Sequence, residues 1–389
     1  MKQEVISYLH TIKDEIYNLT KFLYDNPEKS YHETKACNLL IETLKNNNFK
    51  VIPNYLDIST AFYAEYGNGY PRICFFCDYD AVPDKGHIHG HNLSSAISCA
   101  AALSLSKVVD KIGGTIIVLG SPGEYVGGAK VTMAKQGILN DMDVAMMVHP
   151  DILTAESGTS KAILPLCIKF TSNDGVTYLK SNSLSPLDAC LFVLNGLNVI
   201  LKGYNGTVQI DTLLENGGYT PSLPHDVCEI RLYIRAVDYC TAEQVKDQIK
   251  KLVEASSAIT NISCEVKINE LPYCQLTTNK TLSRIFSHNL KELGVIDSCG
   301  VYDIEAGISM GTVSEYVPCI HPFIQITDRD DISYGSPDFA AATLSSFAQE
   351  RAITAAAALA VTAVDIIQKE TILSKIKEEF YASKKKIEG

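Results

Sequence analysis

The sequence has no excess of basic charge. Its 389 residues carry 34 lysines and arginines against 45 acidic residues, a formal net charge of −11. That balance offers a nucleic-acid backbone no cationic face, so nucleic acid is not expected as a partner. Long apolar runs are also missing. The longest, residues 355–364 (AAAALAVTAV), falls well short of the roughly 20 residues a membrane span needs, so no membrane association is expected. The first residues, MKQEVISYLHTIKDEIYNL, mix charge into their apolar positions and lack a secretory h-region, which predicts a cytoplasmic protein. In that compartment the 12 cysteines read as reduced thiols. Cys74 and Cys77 form a C-x-x-C, but no second pair stands at zinc-ribbon spacing, and their apolar surroundings (RICFFC) predict core packing. Neither internal repeats nor low-complexity linkers occur, and 46% hydrophobic with 20% charged residues excludes a disordered chain. The run Lys384, Lys385, Lys386 reads as a solvated tail.

What is present is a change of period along the chain. Residues 3–25 and 33–47 carry apolar positions at helical spacing. Short β-branched or aromatic runs follow at 72–77, 115–119 and 144–148, with helical segments near 94–111 and 129–136 between them. This alternation predicts an α/β domain around a mixed, mostly parallel sheet with buried strands. From about residue 163 the pattern becomes strand (LPLCIKF), helix (187–201), strand (TVQIDTL), strand (CEIRLYIRA), helix (242–258), strand (CEVKI). That βαββαβ order predicts an inserted α+β, ferredoxin-like module. The expected organisation is a catalytic-type domain of residues 1–162 and 279–389, interrupted by a lid or dimerisation domain of residues 163–278. Its last helix is expected over about 346–369.

Polar chemistry collects at the carboxyl ends of the strands, where open α/β sheets bind ligands. His87, His89 and His91 fall within five residues (GHIHGHN) after the strand 72–77. Asp78 and Asp80 stand at the end of that strand, Glu124 follows the strand 115–119, and His149 ends the strand 144–148. Imidazoles beside carboxylates suit zinc or general-base chemistry. No packing reason for an acid at Glu124 is evident, and a buried carboxylate without a task is costly. Its retention therefore points to proton transfer.

These residues also carry a resemblance. YDAVPDKGHIHGHN resembles the YDALPG-x-GHACGHN motif of peptidase family M20, in its amidohydrolase branch of hippurate, indole-acetyl-amino-acid and aminobenzoyl-glutamate hydrolases. SPGEYVGGAKVTMAKQG, MMVHPD, LLENGGYTPSLPHDVCEIRLYIRA, MGTVSEYVPCIHPFI and AAAALAVTAVDII resemble further motifs of that family, in order, over essentially the whole chain. The resemblance implies hydrolysis of an amide in an N-acyl amino acid, a dipeptide or a related small molecule. It implies Glu124 as general base, with Asp80 and His321 as further catalytic residues. Tyr125, Arg235 and Asn216 are expected to contact substrate, and a homodimer is expected to form through the lid.

Departures from the family pattern bear on the metal. The family's bridging Cys position is His89, its metal-binding Glu is Tyr125, its late His falls at Gly335, a lid His falls near Val176, and an Asp falls at Ser309. A neutral imidazole offers one lone pair, so His89 cannot bridge two cations as a thiolate does. No dinuclear site is expected. Two readings stay open: one zinc or other divalent ion on His89, His91 and His149, or a metal-free pocket. The alternatives to an amidohydrolase are a metal-independent transferase or lyase on the same scaffold, and a catalytically silent relative that binds a small molecule.

Overall fold

The apolar runs read as strands lie at the centre of a six-stranded sheet. In the computed structural model, which describes residues 1–172, 184–218 and 226–387, this sheet comprises β1 (Lys50–Pro53), β2 (Phe62–Asn68), β3 (Arg72–Cys77), β4 (Gly114–Gly120), β5 (Val144–Met146) and the short strand Cys319–Ile320. Its order is β1-β2-β4-β3-β5-(Cys319–Ile320). β3 runs parallel to β4 and β5, with Phe75 opposite both Val118 and Met146. Cys319–Ile320 continues the parallel part beside β5, whereas β2 and β1 form an antiparallel edge. Ile73 to Cys77 are fully buried, as a strand covered on both faces requires. Burial also pushes the thiols of Cys74 and Cys77 up from their ordinary value.

The long helices cover this sheet. The helix His91–Ile112 is long and apolar enough to cross a membrane by length and composition, yet almost all of it is buried inside the fold. Its Leu93, Ile97, Leu105 and Val109 share one core with Leu9 and Ile16 of the first helix and Leu359 of the helix Ser346–Gln368. The 355–364 run is therefore core.

Two features differ from the sequence reading. β1 and β2 were not expected: β1 is an edge strand with little burial, so it lacks the apolar run that marks a central strand. The helix expected over about 346–369 is not the last, because Glu370–Ile387 forms a further one. Ile376 is fully buried there. Glu379 accepts the backbone N–H groups of Lys280 and Thr281 at 2.6 and 2.9 Å, closing the start of the helix Lys280–Glu292. Lys384 lies 4.9 Å from the Phe380 ring centroid.

The chain folds as two compact units. One comprises Met1–Thr159, Thr277–Asp303 and Thr312–Gly389, and the other Ser160–Leu276 with Ile304–Gly311. The second unit holds an antiparallel sheet in the order Ser263–Lys267, Ala162–Thr171, Val227–Ala236, Val208–Asn216. The helices Pro186–Lys202 and Tyr239–Thr260 complete the βαββαβ order. Val227–Ala236 alternates buried and half-buried along its whole length, the pattern of a sheet with one covered face. Cys228, Ile230, Leu232 and Ile234 form that face and pack with Val193, Val245 and Ile249 from the helices. The α/β class with an inserted ferredoxin-like module is thus the observed fold.

Candidate active site

The site is built where β3, β4 and the strand His149–Asp151 end. Beyond β3, Asp80 is completely buried. Its Oδ1 lies 2.9 Å from His91 Nδ1, and its Oδ2 accepts the Ser30 hydroxyl at 2.7 Å and the Tyr125 N–H at 3.1 Å. Burial alone would raise the Asp80 carboxyl, but the His91 hydrogen bond and charge outweigh it and hold it below its usual value. Burial likewise opposes protonation of His91, and Asp80 outweighs it in turn, raising the imidazole.

The other histidines are driven the opposite way. His89 is pushed down to about 4 by burial and then by the charge of His91. Burial and next the charge of Lys130 bring His321 down to about 4. His149 falls well below its ordinary value through burial, helped by His321 and His91. Pairing of His149–Asp151 with Phe323–Gln325 in parallel register stacks the rings of His149 and His321 at 5.3 Å. His149 Nδ1 donates to the Pro150 carbonyl at 2.9 Å. His321 Nδ1 is buried and has no hydrogen-bond partner.

Tyr125 lies against two of these rings. Its ring stacks on His91 at 4.9 Å between centroids and stands 5.4 Å from His89, while its hydroxyl is 2.9 Å from His89 Nδ1. On the far side of His89, Tyr334 stacks at 5.1 Å. Gly335, with φ of +78°, follows, and a Cβ placed on it would come 3.5 Å from His89 Nε2. The position where the family resemblance puts its late histidine therefore faces His89 and carries no side chain.

Glu124 follows β4 by way of Ser121–Gly123. Its Oε2 is 2.9 Å from the ammonium of Lys130, which also pairs with Asp78 Oδ1. Lys130 is fully buried. Burial would depress its ammonium, but Asp78 and Glu124 outweigh that and hold it above its ordinary value. Ser121 completes the set by donating to Asp78 Oδ1 at 2.7 Å. This overturns the expectation that nothing structural calls for an acid at Glu124, because a buried ammonium does.

The structure thus gathers Asp80, His89, His91, His149, His321 and Tyr125, with Glu124 close enough for its charge to act on His91 and His321. Arg235 and Asn216 belong to the second unit. There the Arg235 guanidinium pairs with Asp211 of the neighbouring strand at 2.5 Å. Asn216 ends the strand Val208–Asn216 and accepts the Gly218 N–H at 3.3 Å. Val176 lies outside the described residues.

Among the described residues, no three His, Cys, Asp or Glu side chains form a group that could hold a metal ion. The expected set of His89, His91 and His149 is therefore not assembled as ligands. Tyr125 takes His89 Nδ1, and its ring stacks on His91. The nearby carboxylates already have partners, Asp80 in His91 and Asp78 with Glu124 in Lys130. As arranged, the described side chains do not converge on a common point as a metal centre would require.

Sequence reasoning missed Lys130, Tyr334, Ser30 and Glu33. Lys130 had a signal, a lysine amid the apolar positions of a short helix (AKVTMAK). The others stand in turns, where no periodicity marks them.

Comparison with known proteins agrees with this architecture. The chain is 27% identical over 400 residues to the Xaa-Arg dipeptidase of Mus musculus, covering 98% of this chain and 92% of that protein. It is 26% identical over 297 residues to a component of the p-aminobenzoyl-glutamate hydrolase of Escherichia coli, covering 70% and 61%. Among solved structures, a dinuclear metal-binding peptidase of the M20 family from Bacillus subtilis superposes with a TM-score of 0.65 at 16% identity over 92% of this chain and 99% of that one. The chain is similar to M20 peptidases and amidohydrolases. The aminobenzoyl-glutamate utilization protein of Klebsiella pneumoniae shares the M20-like fold, with a TM-score of 0.73 at 12% identity over 92% and 97%. No family model matches the chain.

Proposed function

We propose that this protein hydrolyses the amide bond of a small N-acyl amino acid or dipeptide, with Glu124 as general base. The observation that carries this reading is the buried Nδ1 of His321, without a hydrogen-bond partner among the described residues and close enough to Glu124 to feel its charge. Buried polar atoms are almost always hydrogen-bonded, so this nitrogen suits a substrate group. Of the carboxylates here, Asp80 is held by His91 and Asp78 lies wholly buried on Lys130, which leaves Glu124 as the proton acceptor. Glu124 takes a proton from the attacking water and passes it to the leaving nitrogen as the C–N bond breaks. His321 hydrogen-bonds the substrate in the pocket, and the hydroxyl of Tyr125, whose ionisation burial and then Asp80 oppose, stays a phenol.

The test is a substrate panel of arginine-ending dipeptides, N-acetyl amino acids and aminobenzoyl-glutamate, chosen from what the relatives are named for. Release of a free amino acid is expected. Failure on every amide, together with tight binding of a small acid, would overturn the hydrolase and support the silent binder. That second reading has one observation in its favour, the saturation of Asp78 and Glu124 by Lys130.

A homodimer through the second unit belongs to the same proposal. Val208–Asn216 is an edge strand and carries Leu213 and Leu214 exposed to 58% and 48%, a feature single chains usually avoid. Light scattering is expected to return twice the 42.6 kDa of one chain.

A further inference from the structure

We infer that Glu33 is a positioning residue for the loop that carries Glu124 and Tyr125, an inference that rests on the reading of Glu124 as base. Glu33 occupies the cap position just before the helix Thr34–Asn46, where a side-chain oxygen can satisfy the helix's first N–H groups. It makes no such cap. Its carboxylate turns instead into the protein and is completely buried. Oε1 accepts the Gly123 N–H at 2.9 Å and the Tyr31 N–H at 2.9 Å, and Oε2 accepts the Thr60 hydroxyl at 2.9 Å. One carboxylate so joins three separate stretches of chain, and one of them immediately precedes Glu124.

The surroundings make that joint specific. Tyr31 has φ of +62°, a conformation that costs a non-glycine residue energy and persists only where neighbours enforce it. Glu33 enforces it through the Tyr31 N–H. The Tyr31 ring then lies against Gly123, whose φ is +79° and where any Cβ would collide with the ring. Ser30, in the same turn, donates to Asp80 Oδ2 at 2.7 Å, and that oxygen also accepts the Tyr125 N–H at 3.1 Å. The turn 30–33 thus grips the 123–125 loop at both ends, by Glu33 on Gly123 and by Ser30 through Asp80 on Tyr125. Buried carboxylates are costly without a task, and here the task is to fix where the Glu124 carboxylate starts from.

The test compares the full-length wild type with Glu33→Ala and Glu33→Gln in two measurements. The first is amide hydrogen exchange of residues 120–128, which needs no substrate. The second is kcat and KM on the best amide of the panel. In Glu33→Ala, exchange in 120–128 is expected to rise about tenfold while the helix His91–Ile112 keeps its protection. Its kcat is expected to fall on the order of 10²-fold, the cost of a displaced catalytic group, with KM nearly unchanged. Glu33→Gln keeps an oxygen for both backbone donors and is expected to restore both readouts. Wild-type exchange and kcat in Glu33→Ala would overturn the inference, and so would exchange raised evenly through the protein with kcat and KM lost together. If Glu33→Ala does not fold, Glu33→Asp replaces it, since it keeps the charge but shortens the reach. If no amide is turned over, the hydrolase reading fails by itself, and the exchange result alone supports or overturns the positioning role.

Discussion

The two units of this chain handle charge in opposite ways. In the first, Asp78, Asp80, His91, Lys130 and Glu33 are all removed from water and hold one another or backbone donors. In the second, the residues that pack together are apolar, and charges such as Arg231–Glu215 and Arg235–Asp211 pair on strand faces where both partners keep a quarter or more of their side-chain exposure. A fold of this size needs only the second arrangement to be stable. Buried charge survives where geometry or chemistry uses it, and this contrast is what assigns the proposed chemistry to the first unit.

The strongest way to break that contrast is to remove the buried cation. Lys130→Met leaves Asp78 and Glu124 facing one another without a counter-charge. We expect a loss of about 3–5 kcal/mol, the scale for one partner removed from a buried pair, read by urea unfolding. A loss below about 1 kcal/mol would place Lys130 with the surface pairs and erase the distinction. Next in size is Glu124→Gln, which keeps the Asp78–Lys130 pair. Folding should hold while turnover falls on the order of 10²-fold or more, the usual contribution of a general base; unchanged turnover would remove Glu124 from the mechanism.

A pH series sharpens the comparison. Burial, ahead of the charge of Asp80, pushes the Glu33 carboxyl from 4.5 up to about 7. The folded state then holds this proton more tightly than the unfolded chain. Its contribution is fully present below pH 4.5, declines as pH rises towards about 7 and is flat above. Glu33→Gln, which cannot ionise, should gain thermal stability relative to wild type across that window and keep a constant advantage beyond it. A difference independent of pH would show that Glu33 does not titrate there.

How far the sequence was legible follows the same division. Continuous apolar runs such as RICFFC and TIIVL announced buried parallel strands, and the alternation in CEIRLYIRA announced a sheet with one covered face. β1 escaped because an edge strand need bury little. In the site, the histidines were visible as a cluster, and strand ends told where they would meet. Their protonation was not legible, because it depends on burial and on which charge the fold brings to each ring, Asp80 for His91 and Lys130 for His321. Nor was the position of Tyr125 against both His89 and His91. Glu33 and Ser30 act through a turn whose polar residues read as an ordinary connection between two helices.

The smallest effect belongs to the second unit. Arg235 pairs with Asp211 across neighbouring strands, with side-chain exposures of 28% and 39%, so water screens the pair and both side chains lose rotamer freedom in making it. Exposed pairs of this kind contribute about 0–1 kcal/mol, and the apolar face of the strand is carried by Ile234 and Ala236, both fully buried. Arg235→Gln should therefore shift the unfolding free energy by no more than about 1 kcal/mol. Adding Asp211→Asn should cost little more, and a double-mutant cycle should return a coupling near zero in high salt, where screening is complete. Because the guanidinium is held by Asp211, turnover on the amide panel should also be unchanged in Arg235→Gln. A raised KM for substrates that end in a carboxylate, with stability intact, would show that Arg235 leaves Asp211 to bind substrate, and the second unit would then contribute a charge to the chemistry after all.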